Sequence, residues 1–180
     1  MRMAYIFLCC ALFLIAPVSV HAQRSTGLTL DEYVQGVGGV LIDGKWVVTR
    51  KEPTLDDMTT VMVLLLRDGG LQEFDGSLFG MACARKMPVV GFGFFDKNMG
   101  NGVKTFEYKI DNQPIRKENW QVLNTVTFIS APITFLKSLI GAKKLIVRGY
   151  PIDGPSVEMS FNIERIENVF PIIQNECGWR

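Results

Sequence analysis

The chain has 180 residues, 48% of them hydrophobic, and its 19 basic and 18 acidic side chains leave a formal charge of +1. There is no basic block of the kind a phosphate backbone requires, so nucleic acid is not an expected partner. His21 is the single histidine in the sequence, which leaves little room for histidine-based catalysis or metal binding.

Residues 1–22 read as a cleavable signal peptide. Arg2 gives a positive start, Ala4 to Pro17 form an apolar run, and Val20 and Ala22 put small residues before a cut after Ala22. The run is shorter than the roughly 20 residues of a bilayer span, so no stable membrane span is expected after cleavage. Residues 23–180 then form a single β-rich periplasmic domain, of a length that builds one core. Cleavage would remove Arg2, His21, Cys9 and Cys10, leaving a formally neutral domain without histidine. Cys83 and Cys177 would remain, and in an oxidising compartment they are expected to form a disulfide, two unpaired buried thiols being the alternative. A catalytic thiol is disfavoured, because no histidine stands ready to lower its pKa.

Along the domain, Thr29 caps a short helix beginning Leu30-Asp31-Glu32, which ends by Gly36 to Gly39. Trp46 to Arg50 is a strand, Pro53 to Asp57 a turn, and Thr60 to Arg67 a strong strand broken by Asp68-Gly69-Gly70. Leu78 to Ala84 and Val89 to Phe95 read as antiparallel neighbours. In Val103 to Ile110, Phe106, Tyr108 and Ile110 alternate with Glu107 and Lys109, the mark of a half-buried strand. Trp120 to Ile129 reads as one strand with Val122, Val126 and Phe128 on a shared face. Ser130 and Pro132 start a helix that Gly141 stops. Leu145 to Arg148 and Val157 to Ile163 are the last strands. Ile166, Val169, Phe170 and Ile173 then fall on one face of a C-terminal helix containing Pro171. The expected class is mostly β (α+β): an antiparallel β-sandwich or partly open barrel with two or three short helices, one of them C-terminal.

Candidate chemistry is sparse. Gly91 to Phe95 continues as strand where a phosphate cradle needs a helix start, so its phenylalanines read as core. Asp56, Asp57, Asp111 and Asp153 fall in turns, where aspartate commonly bonds its own backbone, although a carboxylate-dependent hydrolase is the enzymatic alternative. Trp46, Trp120 and Trp179 either line a groove or fill the core. Arg148 is either an anion or partner contact, or one side of a salt bridge. No cofactor or metal is expected.

The order of these residues resembles the VasI/TagO family of envelope proteins associated with type VI secretion. Trp46, Pro53, Asp56-Asp57 and the strand from Val61 are similar to that family's opening. The Cys83 strand is similar to its first cysteine strand, and Tyr108-Lys109-Ile110-Asp111 with Pro114 and Trp120 to its central signature. The Phe161 strand, the last helix and Cys177-Gly178-Trp179 are similar to its ending. The resemblance implies a non-catalytic accessory role in the periplasm, with an envelope protein or cell-wall component as partner, and it carries no catalytic residues. In size, export and late cysteine the chain also resembles the invasion-associated locus B proteins, which leaves an exported inhibitor-type protein as an alternative.

Overall fold

The computed structural model describes residues 30–50, 59–66, 77–94 and 97–179. The signal-peptide reading, the Thr29 cap, the turn with Asp56 and Asp57, and the breaker at 68–70 lie outside those residues. Ten strands form one antiparallel sheet: β1 (Gly39–Ile42), β2 (Trp46–Arg50), β3 (Thr59–Leu66), β4 (Ser77–Ala84), β5 (Met87–Phe94), β6 (Asn101–Ile110), β7 (Arg116–Leu123), β8 (Val126–Phe128), β9 (Lys144–Gly149) and β10 (Val157–Asn162). Their order across the sheet is β1-β2-β3-β4-β5-β8-β7-β6-β9-β10. Three helices complete the fold, α1 (Leu30–Gly36), α2 (Pro132–Leu139) and the C-terminal α3 (Ile166–Cys177).

The mostly β class with a late helix is therefore the observed one. The sheet is open and continuous, and it curls until its halves face each other. The Phe161 ring on β10 lies 6.2 Å from Phe79 on β4 and 5.7 Å from Phe92 on β5. Period-two alternation places the core: Phe106, Tyr108 and Ile110 on β6 are buried, as are Met159 and Phe161 on β10. Helix α3 lays its buried Ile166, Val169, Phe170 and Ile173 against the same core and contacts β3, β4 and β5. It ends where Gly178 takes a left-handed φ of 69° and donates its N–H to the Gln174 carbonyl at 2.9 Å. That turn brings Trp179 back onto Phe170, ring centroids 6.1 Å apart.

A smaller apolar cluster lies apart from the main core, where Val34 of α1 meets Val47, Leu64, Leu66 and Leu78. Beyond it, the Asp43 carboxylate at the β1–β2 turn accepts from the Asn168 amide at 2.7 Å and pairs with Arg165 at 3.4 Å. Lys45 donates to Asn162 at 2.7 Å. Side chains thus clasp the β1–β2 turn to the passage from β10 into α3.

Three expectations are corrected. Gly39 to Ile42 is a strand and not a helix terminus, turned by Asp43 and Gly44, both at positive φ. The expected strand from Trp120 to Ile129 is a hairpin of β7 and β8, with Asn124 at φ 53° in its two-residue turn. That reversal pairs Val122 with Thr127, so Thr127 takes the core face and Val126 and Phe128 point the other way. The buried Thr127 hydroxyl is satisfied by the Phe92 backbone, accepting from its N–H at 3.3 Å. Finally, the N-cap of α2 is Ala131, which has no side-chain acceptor, and the expected cap Ser130 donates its hydroxyl to the Asn119 carbonyl.

The β4–β5 hairpin turns on Arg85 and Lys86, at φ 50° and 62°, where glycine or asparagine is the low-energy choice. Lys86→Gly is expected to raise stability by about 1 kcal/mol, the relieved strain exceeding the loss of an exposed bond to the Glu176 carbonyl. A higher urea midpoint with unchanged slope is the expected reading; a lower midpoint would show that the lysine contact outweighs the strain.

Candidate functional site

The candidate residues separate into a buried set and a surface set. Trp46 and Trp120 are fully buried and Tyr108 nearly so. Trp120 stacks between Phe92 at 5.3 Å and Phe106 at 4.9 Å, and Tyr108 and Phe135 complete the ring cluster. Tyr108 and Trp120 share one polar partner. Glu118 accepts from the tyrosine hydroxyl at 2.7 Å and from the indole N–H at 3.3 Å, which anchors both rings at the rim of the core. Burial, and then the Glu118 hydrogen bond, push the Tyr108 phenol up. These aromatics fill the core and line no groove. The Trp46 indole N–H is buried with no hydrogen-bond partner among the described residues, as is that of the half-buried Trp179.

On the opposite face of the same strands the register aligns Lys117, Glu107, Arg148 and Glu158 across β7, β6, β9 and β10. They form one alternating row. Lys117 meets Glu107 at 2.8 Å, Arg148 meets Glu107 at 3.1 Å, and Arg148 meets Glu158 at 2.8 Å. Arg148 is thus a cross-strand link with both ends of its guanidinium engaged. The Glu107 side chain is 13% exposed. Its carboxyl is held below the usual carboxylate value, chiefly by the Lys117 hydrogen bond, with Tyr150 and Arg148 adding to the effect against partial burial.

An acid dependence follows. The unfolded carboxyl takes up its proton near its ordinary value of 4.5, while the folded one resists to lower pH. Stability from this row is therefore complete above that value and declines as pH falls from it through the folded value. Glu107→Gln should flatten the fall of the denaturation midpoint below that pH. An unchanged acid limb in the variant would show that the row does not contribute.

Asp111, at φ 47°, ends β6 with its carboxylate on the backbone. It accepts from the Lys144 N–H at 2.8 Å and the Lys143 N–H at 3.0 Å, fastening the start of β9. The bonds run to backbone 32 and 33 residues further along the chain, a long-range tie and not the local turn bond expected. Beside it, Lys143, Lys144, Asn162 and Glu164 border an open depression of about 300 Å³. Asp153 is exposed in the loop before β10.

Cys83 near the end of β4 and Cys177 at the end of α3 stand at disulfide distance, their Cα atoms 5.5 Å apart. The pairing expected from the sequence is the one the fold brings together. Around it, Arg50 pairs with Glu176 at 3.7 Å and Lys86 donates to the Glu176 carbonyl at 3.0 Å, setting cations at the negative end of the α3 dipole.

Glu107, Lys117, Glu118 and Glu158 are not among the residues that the sequence singles out. The signal was available for Glu107, which alternates with core residues on β6, but its partners come from three strands whose order is not local information. Among the described residues, no group of three or more His, Cys, Asp or Glu could hold a metal ion. No described helix is long and apolar enough to cross a membrane. No family model, no curated protein and no solved structure matches the chain.

Proposed function

We propose that this is an exported accessory protein of the cell envelope, of the type VI secretion-associated kind, that works by binding and not by catalysis. The observation that carries the reading is the Cys83–Cys177 pair, placed at disulfide distance between a central strand and the last helix. Such pairs persist in oxidising compartments and are rare where thiols are kept reduced. The signal-like residues 1–22 support the same address. The order of motifs ending on Cys177-Gly178-Trp179 supports the secretion-associated version, with an envelope protein or cell-wall component as partner. The charged row on the outer face offers both signs of charge to such a partner, in keeping with polar recognition.

Two measurements test the reading. Fractionation of cells making a C-terminally tagged chain should recover the protein in the periplasm, shortened by the length of residues 1–22 and with both thiols blocked to alkylation until reductant is added. Deletion in a strain with an active type VI system should impair assembly of the apparatus or export of its effectors. Cytoplasmic recovery with free thiols would overturn the address, and unimpaired export would overturn the secretion role.

A further inference from the structure

One end of the sheet gathers exposed isoleucine and lysine. The register sets the close of β6, the start of β7, the start of β9 and the close of β10 there together. Asp111 ties two of the connections to each other, since its carboxylate accepts from the Lys143 and Lys144 N–H groups. Ile115 lies four residues from Asp111 in the β6–β7 connection, and Ile140 three residues from Lys143 in the passage from α2 to β9. Neither can stand more than about 14 Å from that tie. Ile115 is 57% exposed and Ile140 49%. Single apolar residues are common on any surface, so the charge around these two decides what they are for.

Lysines stand behind these tips. Lys109 follows Glu107 on the outer face of β6, Lys144 opens β9, and Lys137 lies in the last turn of α2. The charges of Lys117 and Arg148 are matched within the row, whereas these three ammonium groups have no ion pair or hydrogen bond among the described residues. The neighbouring acids are committed, Asp111 to two backbone N–H groups and Glu164 to Lys143 at 3.8 Å. Glu167, in the first turn of α3, is set against three such lysines. Two apolar side chains on separate connections make no groove for a peptide. A bilayer interface accepts scattered tips, because its acyl boundary is continuous, and lysine beside them draws anionic headgroups. The open depression of about 300 Å³ bordered by Lys143 and Lys144 has room for one headgroup.

We propose that this end of the sheet docks peripherally on a bilayer of anionic phospholipid. Ile115 and Ile140 enter the headgroup boundary, and Lys109, Lys137 and Lys144 face the phosphates. Docking of this kind needs no membrane span and stands apart from the secretion reading.

The test uses the full chain, disulfide oxidised, sedimented with vesicles of phosphatidylcholine alone or mixed with phosphatidylglycerol. Any binding through residues 1–22 is common to every variant, so differences between variants read this end alone. The mixed vesicles should carry down more protein, and added salt should reverse the gain. Lys109→Gln, Lys144→Gln and Ile115→Ser should each weaken the phosphatidylglycerol-dependent binding about fivefold. Lys104→Gln removes the same charge toward the far end of β6 and should bind as wild type. On the unaltered protein, hydrogen-exchange protection by the mixed vesicles should concentrate in residues 111–116 and 140–145, a reading that stands if a variant misfolds. Equal binding to the two vesicles, protection elsewhere, or an equal loss in Lys104→Gln would overturn the proposal. So would lysine-dependent capture by polyglutamate with the vesicles ignored, which assigns this end to an acidic protein.

Discussion

Replacing Cys83 and Cys177 with serine is expected to lower the unfolding free energy by about 4 to 5 kcal/mol. The residues are 94 positions apart, and freeing a loop of that size restores this much chain entropy to the unfolded state. Both cysteines are buried, Cys83 among the core side chains of β4 and Cys177 at the foot of a helix whose Ile166, Val169 and Ile173 are wholly inside. Domains of this size are stable by roughly 5 to 15 kcal/mol, so the loss takes about a quarter or more of the margin. Urea unfolding with and without reductant measures it. Reductant should lower the wild-type midpoint to that of the double serine variant, and leave the variant unmoved. Coincident wild-type curves in both conditions would mean that the two sulfurs are not bonded.

Trp120→Ala should lose about 3 to 5 kcal/mol, because it empties the centre of the ring cluster. Four rings lie within 6.2 Å of the indole, two of them stacked almost parallel to it. Truncation also takes one donor from Glu118 and leaves Tyr108 as its remaining ring partner. Trp120→Phe keeps the stacking and forfeits the indole N–H and some volume, so about 1 to 2 kcal/mol is expected. Denaturant midpoints by circular dichroism rank the two. A groove tryptophan behaves otherwise, with both variants near wild-type stability, and that outcome would overturn the core assignment.

Much of the fold was legible because alternation along a strand is a local signal. Phe106, Tyr108 and Ile110 announced β6, and Met159 and Phe161 announced β10 with no knowledge of their neighbours. β1 was hidden, since three apolar residues between glycines carry no period. The β7–β8 hairpin was hidden for another reason. Asn124 and Thr125 lack the glycine that usually marks such a turn, and Trp120 to Ile129 holds enough β-branched and aromatic residues to read as one strand. The error reversed the faces of Val126 and Thr127, as a misplaced turn must when side chains alternate. The Cys83–Cys177 pairing was legible by elimination among four cysteines. The charged row was not, because Lys117, Glu107, Arg148 and Glu158 meet only through strand order, and pairings of that range follow from the whole topology.

The clasp at Asp43 has a temporal meaning as well as a spatial one. Its partners lie 117 to 125 residues further along the chain, and Cys83 waits 94 residues for Cys177. Residues 43 and 83 leave the ribosome, or any translocation channel, well before the segments that hold them. The first five strands therefore spend the interval with Phe79 and Phe92 lacking Phe161, a delay typical of folds rich in distant contacts. Closure is a late event in synthesis, set by the arrival of residues 162–177, and a chain cut short of residue 162 leaves the first five strands without these far partners.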